Sequence, residues 1–258
     1  MISILLTTYN SSRYILDTLK SINNQTFKNW ELIVIDDCSN DNTVRIIKKF
    51  FLNKKKILII RNNKNSGGPA YPRNIGIEKA RRKFLAFIDD DDIWHPRKLE
   101  IQYKLMLIRK YDLVSTSKYN FKNIREINND INYKNLSYRM IKEINFTLLL
   151  QRNIIPLSSI LVKKKIVLKF NQEKNFHGVE DYLFLLNLLH NKIKVCKILK
   201  NLVFYRIGKN NLFSSSKLNM SIGVIRVLWN MKINKKISFL CFFKSVFFNF
   251  YRRLIFNE

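Results

Sequence analysis

The sequence lacks the cysteine and histidine patterns that organise many small proteins. Its three cysteines, Cys38, Cys196 and Cys241, are widely spaced and form no CxxC pair. This argues against a disulfide framework and against a cysteine-rich zinc site. The three histidines show no metal-binding spacing either. We therefore expect a protein of a reducing compartment. The strand-like run that begins at residue 2 also argues against a cleavable signal peptide.

Common nucleotide-binding and nucleic-acid-binding motifs are also missing. The sequence has no GxGxxG and no GxxxxGK[ST], so neither a dinucleotide-binding fold nor a P-loop ATPase is favoured. Gly67 and Gly68 precede a helix start and could approach a phosphate, but a simple turn explains them better. No zinc-finger spacing, aromatic RNA-binding signature or helix-turn-helix stands out, so no nucleic-acid partner is expected.

Acidic residues are scarce, and their distribution is uneven. The chain has 258 residues, with 19 Asp and Glu against 47 Lys and Arg, which gives a net charge of +28. Such a charge favours anionic partners, although a lysine-rich genome composition explains it as well. Seven of the acids fall in two short stretches, Asp36, Asp37 and Asp41 in one and Asp89, Asp90, Asp91 and Asp92 in the other.

The first half of the chain alternates strand-like and helix-like patterns. Short apolar runs occur at 2–7, 31–36, 56–60, 84–88 and 112–116, with helical spacing between them. This alternation predicts an α/β fold, with a mostly parallel central sheet flanked by helices. The length fits one large domain, or one domain with an appendage.

Polar clusters follow three of these strands, at 8–10, 36–41 and 89–92. Parallel strands share a direction, so their carboxyl ends meet at one edge, where α/β proteins bind ligands. Four adjacent carboxylates repel one another unless a counter-charge is present. Lys and Arg side chains could supply it, but clustered oxygens also suit Mg²⁺ or Mn²⁺.

A third acidic group, the pair Glu180 and Asp181, begins an apolar helix, where the helix dipole stabilises carboxylates. One of them could act as a general base. A metal bridging a diphosphate would neutralise a leaving group, which indicates a transferase acting on a nucleoside-diphosphate compound. A nucleotidyltransferase, a non-catalytic sugar-nucleotide-binding or membrane-scaffold protein, and acids without function on strand-end loops remain alternatives.

The second half of the chain is harder to interpret. We expect residues 117–150 to be irregular and residues 217–258 to form a basic, aromatic-rich helical tail. Its apolar part, 237–250, is short and broken by Lys244, so it does not suit a membrane span. An interfacial helix on an anionic membrane and a helix packed on the core are both consistent with it.

Several short segments occur in a recognisable order and spacing: Thr8-Tyr9-Asn10, Gln25-Thr26-Phe27, Trp30-Glu31-Leu32, residues 36–41, Gly67-Gly68, Arg73-Asn74, residues 89–94 with Pro96 and Lys98-Leu99, and Glu180-Asp181. Together they resemble the inverting family 2 glycosyltransferases, which have the glycosyltransferase-A fold. The resemblance is specific over residues 1–116 and thinner to about 216. The Tyr205-Arg206 and Ser214-Ser215 region and the tail further resemble bacterial surface-polysaccharide transferases of the teichuronic-acid type.

The resemblance implies a catalytic domain over 1–216, with a nucleotide-sugar-binding half (1–116) and an acceptor half (117–216). Asp91 and Asp89 would hold the Mg²⁺ or Mn²⁺ ion. Asp181 would be the base, with Glu180 as the alternative. Asp37 would contact the nucleobase, and Arg206 the diphosphate. In all, the resemblance assigns nucleotide-sugar binding to eight residues: Thr8, Tyr9, Asn10, Asp37, Arg73, Asp89, Asp90 and Arg206.

The activity implied is a metal-dependent, hexosyltransferase-like transfer of a sugar, with a UDP-sugar favoured as donor. The acceptor would be a saccharide or lipid-linked oligosaccharide of O-antigen, capsule or teichuronic-acid-like synthesis, at the cytoplasmic face of the plasma membrane. The family often places a histidine shortly after the Tyr-Arg pair, but Gly208 stands here, which leaves metal ligation from that side open. No QxxRW motif is present, so processive synthesis is not indicated.

Overall fold

The structure is a computed structural model that describes residues 1–52, 56–127, 140–207 and 217–256. Gly208 and Ser214-Ser215 lie outside the described residues. The strands are β1 (Ile2–Thr8), β2 (Trp30–Asp36), β3 (Ile57–Arg61), β4 (Phe84–Asp89), β5 (Ile93–Trp94), β6 (Leu113–Phe121), β7 (Ile141–Ile144), β8 (Leu161–Lys163) and β9 (Val195–Arg206). The helices are α1 (Ile15–Asn23), α2 (Thr43–Phe50), α3 (Ala70–Lys79), α4 (Lys98–Arg109), α5 (Phe146–Gln151), α6 (Glu180–His190), α7 (Lys217–Ile233) and α8 (Phe239–Phe256).

The described strands form one sheet in the order β3-β2-β1-β4-β8-β6-β9-β5, with β7 also paired to β9. The first four strands are parallel, as the alternating sequence pattern predicts. The second half is mixed, because β8 runs antiparallel to both β4 and β6, and β5 and β7 run antiparallel to β9. The predicted α/β class with C-terminal helices is confirmed.

Helices cover both faces of the sheet, so the central strands are buried on both sides. Alternate residues of β1 enter two different apolar layers, with Leu5 in one and Ile4 and Leu6 in the other. Continuous apolar runs are typical of parallel strands covered in this way. The edge at which β1, β2 and β4 end is thereby held on a rigid base.

Residues 117–150 are more regular than we expected from the sequence, where they are described. Strand β6 continues to Phe121, and β7 and α5 follow within this stretch. The prediction failed because β6 pairs along its length with β9, which is about 80 residues later in the chain. Such distant pairing leaves no periodic signal in the local sequence.

Both possibilities for the tail have a counterpart in the structure. Val227, Leu228 and Met231 of α7 are fully buried in the core, and Asn249 Nδ2 of α8 donates to the Leu150 carbonyl at 3.0 Å. The other face of α8 exposes a row of aromatic side chains, Phe239, Phe243, Phe247, Phe250 and Tyr251. Within the described residues, neither α8 nor any other helix has the length and apolar character needed to cross a membrane.

The packing of α7 allows a prediction at Gly223. A Cβ added there would lie 2.8 Å from Val179 Cγ1, next to the start of α6. Because valine is stiff about χ1, we expect Gly223→Ala to destabilise the protein by about 1–2 kcal/mol despite the better helix propensity of alanine. Chemical denaturation measures this change.

The double variant Gly223→Ala/Val179→Ala provides the control. Removing Cγ1 abolishes the clash, so the double variant should be more stable than the sum of the two single effects. Strict additivity of the two effects would contradict the proposed contact.

Candidate active site

Three strand ends meet at one edge of the sheet. The β1 register places Thr7 beside Asp89 of β4 and Thr8 beside Asp36 of β2. The Asp37 amide continues this ladder by donating to the Thr8 carbonyl at 2.9 Å. The polar segments that follow these strands are therefore neighbours in space, although they are roughly 30 to 80 residues apart in sequence.

Arg73 joins this edge to the start of α6. Its Nη2 lies 2.9 Å from Asp89 Oδ1, and its Nη1 lies 2.8 Å from Glu180 Oε1. The guanidinium is buried and lies over the Phe170 ring at 5.4 Å. The two carboxylates raise the pKa of Arg73 against the opposing effect of burial, so it stays charged. One arginine thus connects the predicted donor-binding acids with the predicted base segment.

Asp90 points away from its neighbours and towards the loop after β1. Its Oδ2 accepts the Tyr9 amide at 3.0 Å and also the Ser11 hydroxyl. Its carbonyl accepts Thr18 Oγ1 at 2.9 Å. Asp90 therefore fixes the Tyr9 backbone, while about half of the Tyr9 residue surface remains exposed. An exposed ring on a fixed backbone can stack on a nucleobase.

The acids after β2 are also held by specific partners. Asp37 Oδ1 accepts Asn62 Nδ2 at 2.7 Å, and its Oδ2 accepts both the amide and the hydroxyl of Ser66. Asn10, with a φ of 50°, accepts the Asn40 amide through its side chain at 2.8 Å. Asp37 is thereby oriented at the floor of the loop that joins β3 and α3.

A cleft of about 760 Å³ opens between this loop and residues 172–177. Ser66, which binds Asp37, lies in its wall together with Gly68 and His177. None of the predicted catalytic, nucleotide-sugar-binding or metal-binding residues lines this cleft, so it does not coincide with the acidic edge.

The pKa values of Asp91 and Asp92 are raised by their surroundings. Burial, followed by the charges of Asp90 and Asp89, raises the pKa of Asp91 to about 7. Burial and the charges of Asp89 and Asp91 raise the pKa of Asp92 well above its usual value. A cation bound at this edge would relieve both effects.

Arg206, at the end of β9, closes the cluster from the other side. Its Nε donates to the Asp91 carbonyl at 3.1 Å, and its Nη2 pairs with Asp17 Oδ2 at 3.2 Å. The guanidinium lies 4.5 Å from the centre of the Tyr14 ring. Arg206 thus fixes the acidic loop, and its predicted contact with a diphosphate stays a prediction.

Glu180 and Asp181 are adjacent but differ in their surroundings. Both Glu180 carboxylate oxygens are occupied, one by Arg73 and the other by the Gly178 amide at 2.7 Å. Asp181 accepts only the Tyr182 amide, at 2.6 Å, among the contacts of the described residues. Burial and the Glu180 charge raise the pKa of Asp181 to about 7. A carboxylate with a raised pKa and an unoccupied oxygen suits a general base, so the geometry favours Asp181 for this role.

The donor set fits a metal only in part. Within the described residues, no group of three or more His, Cys, Asp or Glu side chains is positioned to hold a metal ion. Mg²⁺ sites in transferases, however, often use one or two carboxylates and complete their coordination with substrate phosphates and water. Asp91 and Asp89, with hard oxygen atoms and mutual repulsion, fit such a partial site.

Sequence reasoning missed two residues at this edge. Ser158 Oγ accepts the Asp89 amide at 3.1 Å and donates to Asp89 Oδ2 at 3.2 Å. Lys118 of β6 places its Nζ 3.6 Å from the centre of the Tyr205 ring. Neither residue lies in a motif or a periodic pattern, so the sequence carries no signal for either.

A family model described as glycosyl transferase family 2 matches residues 3–170 of the chain. An uncharacterized glycosyltransferase of Haemophilus influenzae is 32% identical over 251 residues, covering 96% of this chain and 93% of its own length. The chain therefore belongs to glycosyltransferase family 2. The Bacillus subtilis putative teichuronic acid biosynthesis glycosyltransferase TuaG is 37% identical over 109 residues, 42% of this chain and 43% of TuaG.

An Escherichia coli relative, WfgD, is 39% identical over 107 residues, covering 42% of this chain and 41% of WfgD. It is named UDP-Glc:alpha-D-GlcNAc-diphosphoundecaprenol beta-1,3-glucosyltransferase.

Solved structures confirm the glycosyltransferase-A fold. The crystal structure of residues 1–349 of Staphylococcus aureus TarS superimposes with a TM-score of 0.72 at 20% identity, covering 99% of this chain and 72% of that one. The mannosyltransferase PcManGT of Pyrobaculum calidifontis, in complex with GDP-Man and Mn²⁺, has a TM-score of 0.71 at 14% identity, with coverages of 98% and 70%.

The buried position of Arg73 predicts a large loss of stability in Arg73→Met. This change leaves Glu180 buried without its cation, which costs about 3–5 kcal/mol. Arg97→Met, which removes a surface pair with Glu100, serves as the matched control and should cost at most about 1 kcal/mol. Equal urea midpoints for the two variants would contradict the bridging role of Arg73.

Proposed function

We propose that this protein is a metal-dependent inverting transferase that moves one sugar from a nucleoside-diphosphate sugar to an acceptor hydroxyl. A UDP-sugar is the favoured donor, and a lipid-linked oligosaccharide of bacterial surface-polysaccharide synthesis is the acceptor. The observation that carries the proposal is the Arg73 bridge, which brings the acidic edge next to Asp181. Leaving-group and nucleophile chemistry can then meet at one edge of the sheet.

The donor would lie along the strand ends. Asp37 and the Tyr9 ring would hold the nucleobase, within the loops that Asp90 and Ser66 fix. Asp91 and Asp89 would hold Mg²⁺ or Mn²⁺, which would neutralise charge on the departing diphosphate. Arg73 and Arg206 add positive charge on either side of the acidic edge.

The acceptor would be activated by Asp181. Its carboxylate removes the proton from the acceptor hydroxyl, and the oxygen attacks the anomeric carbon of the donor sugar. The bond from that carbon to the diphosphate oxygen breaks in the same displacement, so the anomeric configuration inverts. Glu180, bound to Arg73 and to the Gly178 amide, keeps the start of α6 in place for this step.

Two observations support a lipid-linked acceptor and a position at the cytoplasmic membrane face. The relative WfgD carries a diphosphoundecaprenol acceptor in its name. The exposed aromatic row of α8, in a chain of net charge +28, suits an anionic membrane surface.

Nucleotide binding tests the donor site. We expect one of UDP, GDP, CDP and dTDP to bind in calorimetric titration, with an affinity that Mn²⁺ increases. Asp91→Asn should lose the effect of Mn²⁺ and keep the folded circular dichroism spectrum, because it removes a metal carboxylate and relieves repulsion. Glu78→Gln, which changes an exposed carboxylate elsewhere, is the matched control. If none of the nucleotides binds to folded protein, the proposal fails.

Turnover of Asp181→Asn tests the base. We expect a loss of about 10²–10⁴-fold in turnover with nucleotide binding retained, because the amide cannot accept the proton. In the wild type, the base must be ionised, and the pKa of Asp181 is raised to about 7. Turnover should therefore rise with pH up to about 7. Full activity of Asp181→Asn would rule out its role as the base.

A further inference from the structure

Four cationic side chains lie together in the acceptor half, namely Lys118, Lys142, Arg152 and Lys197. Lys142 of β7 and Lys197 of β9 are direct partners across an antiparallel pair, so their side chains share a face. Ile144 and Val195, two residues further along each strand, are on the same face and are buried in the apolar layer that contains α6. Lys142 and Lys197 therefore lie on the side of the sheet against which α6 packs.

Repulsion in this arrangement acts mainly on Lys197, because Lys118 and Lys142 are exposed to solvent. Like charges directly across a strand pair destabilise a sheet. Lys197 is half-buried, and its Nζ donates to the Ile154 carbonyl at 2.7 Å. Burial and the charges of Arg152, Lys118 and Lys142 lower the pKa of Lys197.

No direct carboxylate partner of the three lysines is found in the described part of the chain, although the charges of Asp92, Asp181 and Asp89 act on Lys118. Within residues 1–52, 56–127, 140–207 and 217–256, none of Lys118, Lys142 and Lys197 forms an ion pair. The nearest acid in sequence, Glu143, alternates to the other face of β7, and Tyr111 Oη donates to it at 3.2 Å.

The cluster extends to the predicted reaction centre. A register shift between Ser117 and Lys118 interrupts the β6–β9 ladder, and such bulges re-aim side chains next to active sites. The Lys118 ammonium lies over the Tyr205 ring. Desolvation of this ammonium lowers the pKa of Lys118, and the charges of Asp92, Asp181 and Asp89 oppose this effect. On the other side, Ile154 is four residues before Ser158, which binds Asp89.

We propose that Lys118, Lys142, Arg152 and Lys197 form an anion subsite that binds a phosphate group carried by the acceptor. This inference rests on the proposed function, since it places the phosphate on the Asp181 side of the cleft. Lysine binds phosphate as a point charge, and Arg152 adds a fork of donors. The same chemistry would also suit a phospholipid headgroup, and the experiment separates the two sources.

Inorganic pyrophosphate is the probe, titrated calorimetrically in EDTA so that no metal assists binding at the aspartates. Lys142→Met/Lys197→Met should bind it at least about tenfold more weakly than the wild type, because each lysine supplies a charged hydrogen-bond donor. The matched control, Lys48→Met/Lys49→Met, removes two exposed charges from the end of α2 and should bind as the wild type does. Equal affinities of the two double variants, or no binding by the wild type, would overturn the proposal.

Two further measurements separate the possible outcomes. Binding to phosphatidylcholine vesicles with phosphatidylglycerol tests the headgroup source. If Lys142→Met/Lys197→Met loses vesicle binding but keeps pyrophosphate binding, the acceptor assignment is overturned.

Mn²⁺-dependent binding of UDP, GDP, CDP and dTDP should be equal in both double variants, which isolates the effect to the anion subsite. Absence of nucleotide binding in every protein would instead refute the proposed function and leave the pyrophosphate comparison valid.

Discussion

The buried bridge from Asp89 through Arg73 to Glu180 is the interaction on which the site depends. Asp89 ends β4, Arg73 lies in α3 and Glu180 begins α6, so one guanidinium joins parts of the chain that are about 90 residues apart. Glu180 is tolerable as a buried carboxylate because the arginine is there, and both acids raise the pKa of the arginine against the opposing effect of burial. The distance between the acidic edge and Asp181 is thus fixed by electrostatics as well as by apolar packing.

Three of the four consecutive aspartates take different partners. Asp89 pairs with Arg73, Asp90 accepts the Tyr9 amide, and Asp92 accepts the Arg206 amide at 3.4 Å. Burial and the charges of Asp90 and Asp89 raise the pKa of Asp91, whose main-chain carbonyl accepts from Arg206. The turn after β4 therefore leaves repulsion at both Asp91 and Asp92, which a divalent cation bound at this edge would relieve.

The sequence predicts the parallel half of the sheet well, because each strand there carries its own apolar run and ends in polar residues. The convergence of Thr8, Asp37 and Asp89 follows from strand direction alone, and the glycosyltransferase-A fold follows from the motifs. The mixed half of the sheet could not be predicted in the same way. Strand β6 is stabilised by β9, and Ser158 reaches Asp89 from an irregular segment, so both depend on contacts that are distant in sequence.

The proposed donor and acceptor sides of the site carry opposite charge, and this difference has a physical consequence. The proposed donor side presents carboxylates that repel a diphosphate unless a cation is bound. The proposed acceptor side presents Lys118 and Lys197, which would attract phosphate without any metal. An anionic acceptor would therefore be drawn to the Asp181 side and kept from the proposed metal-binding edge. In so basic a chain, the positions of the few acids distinguish the two sides more than the excess of lysine does.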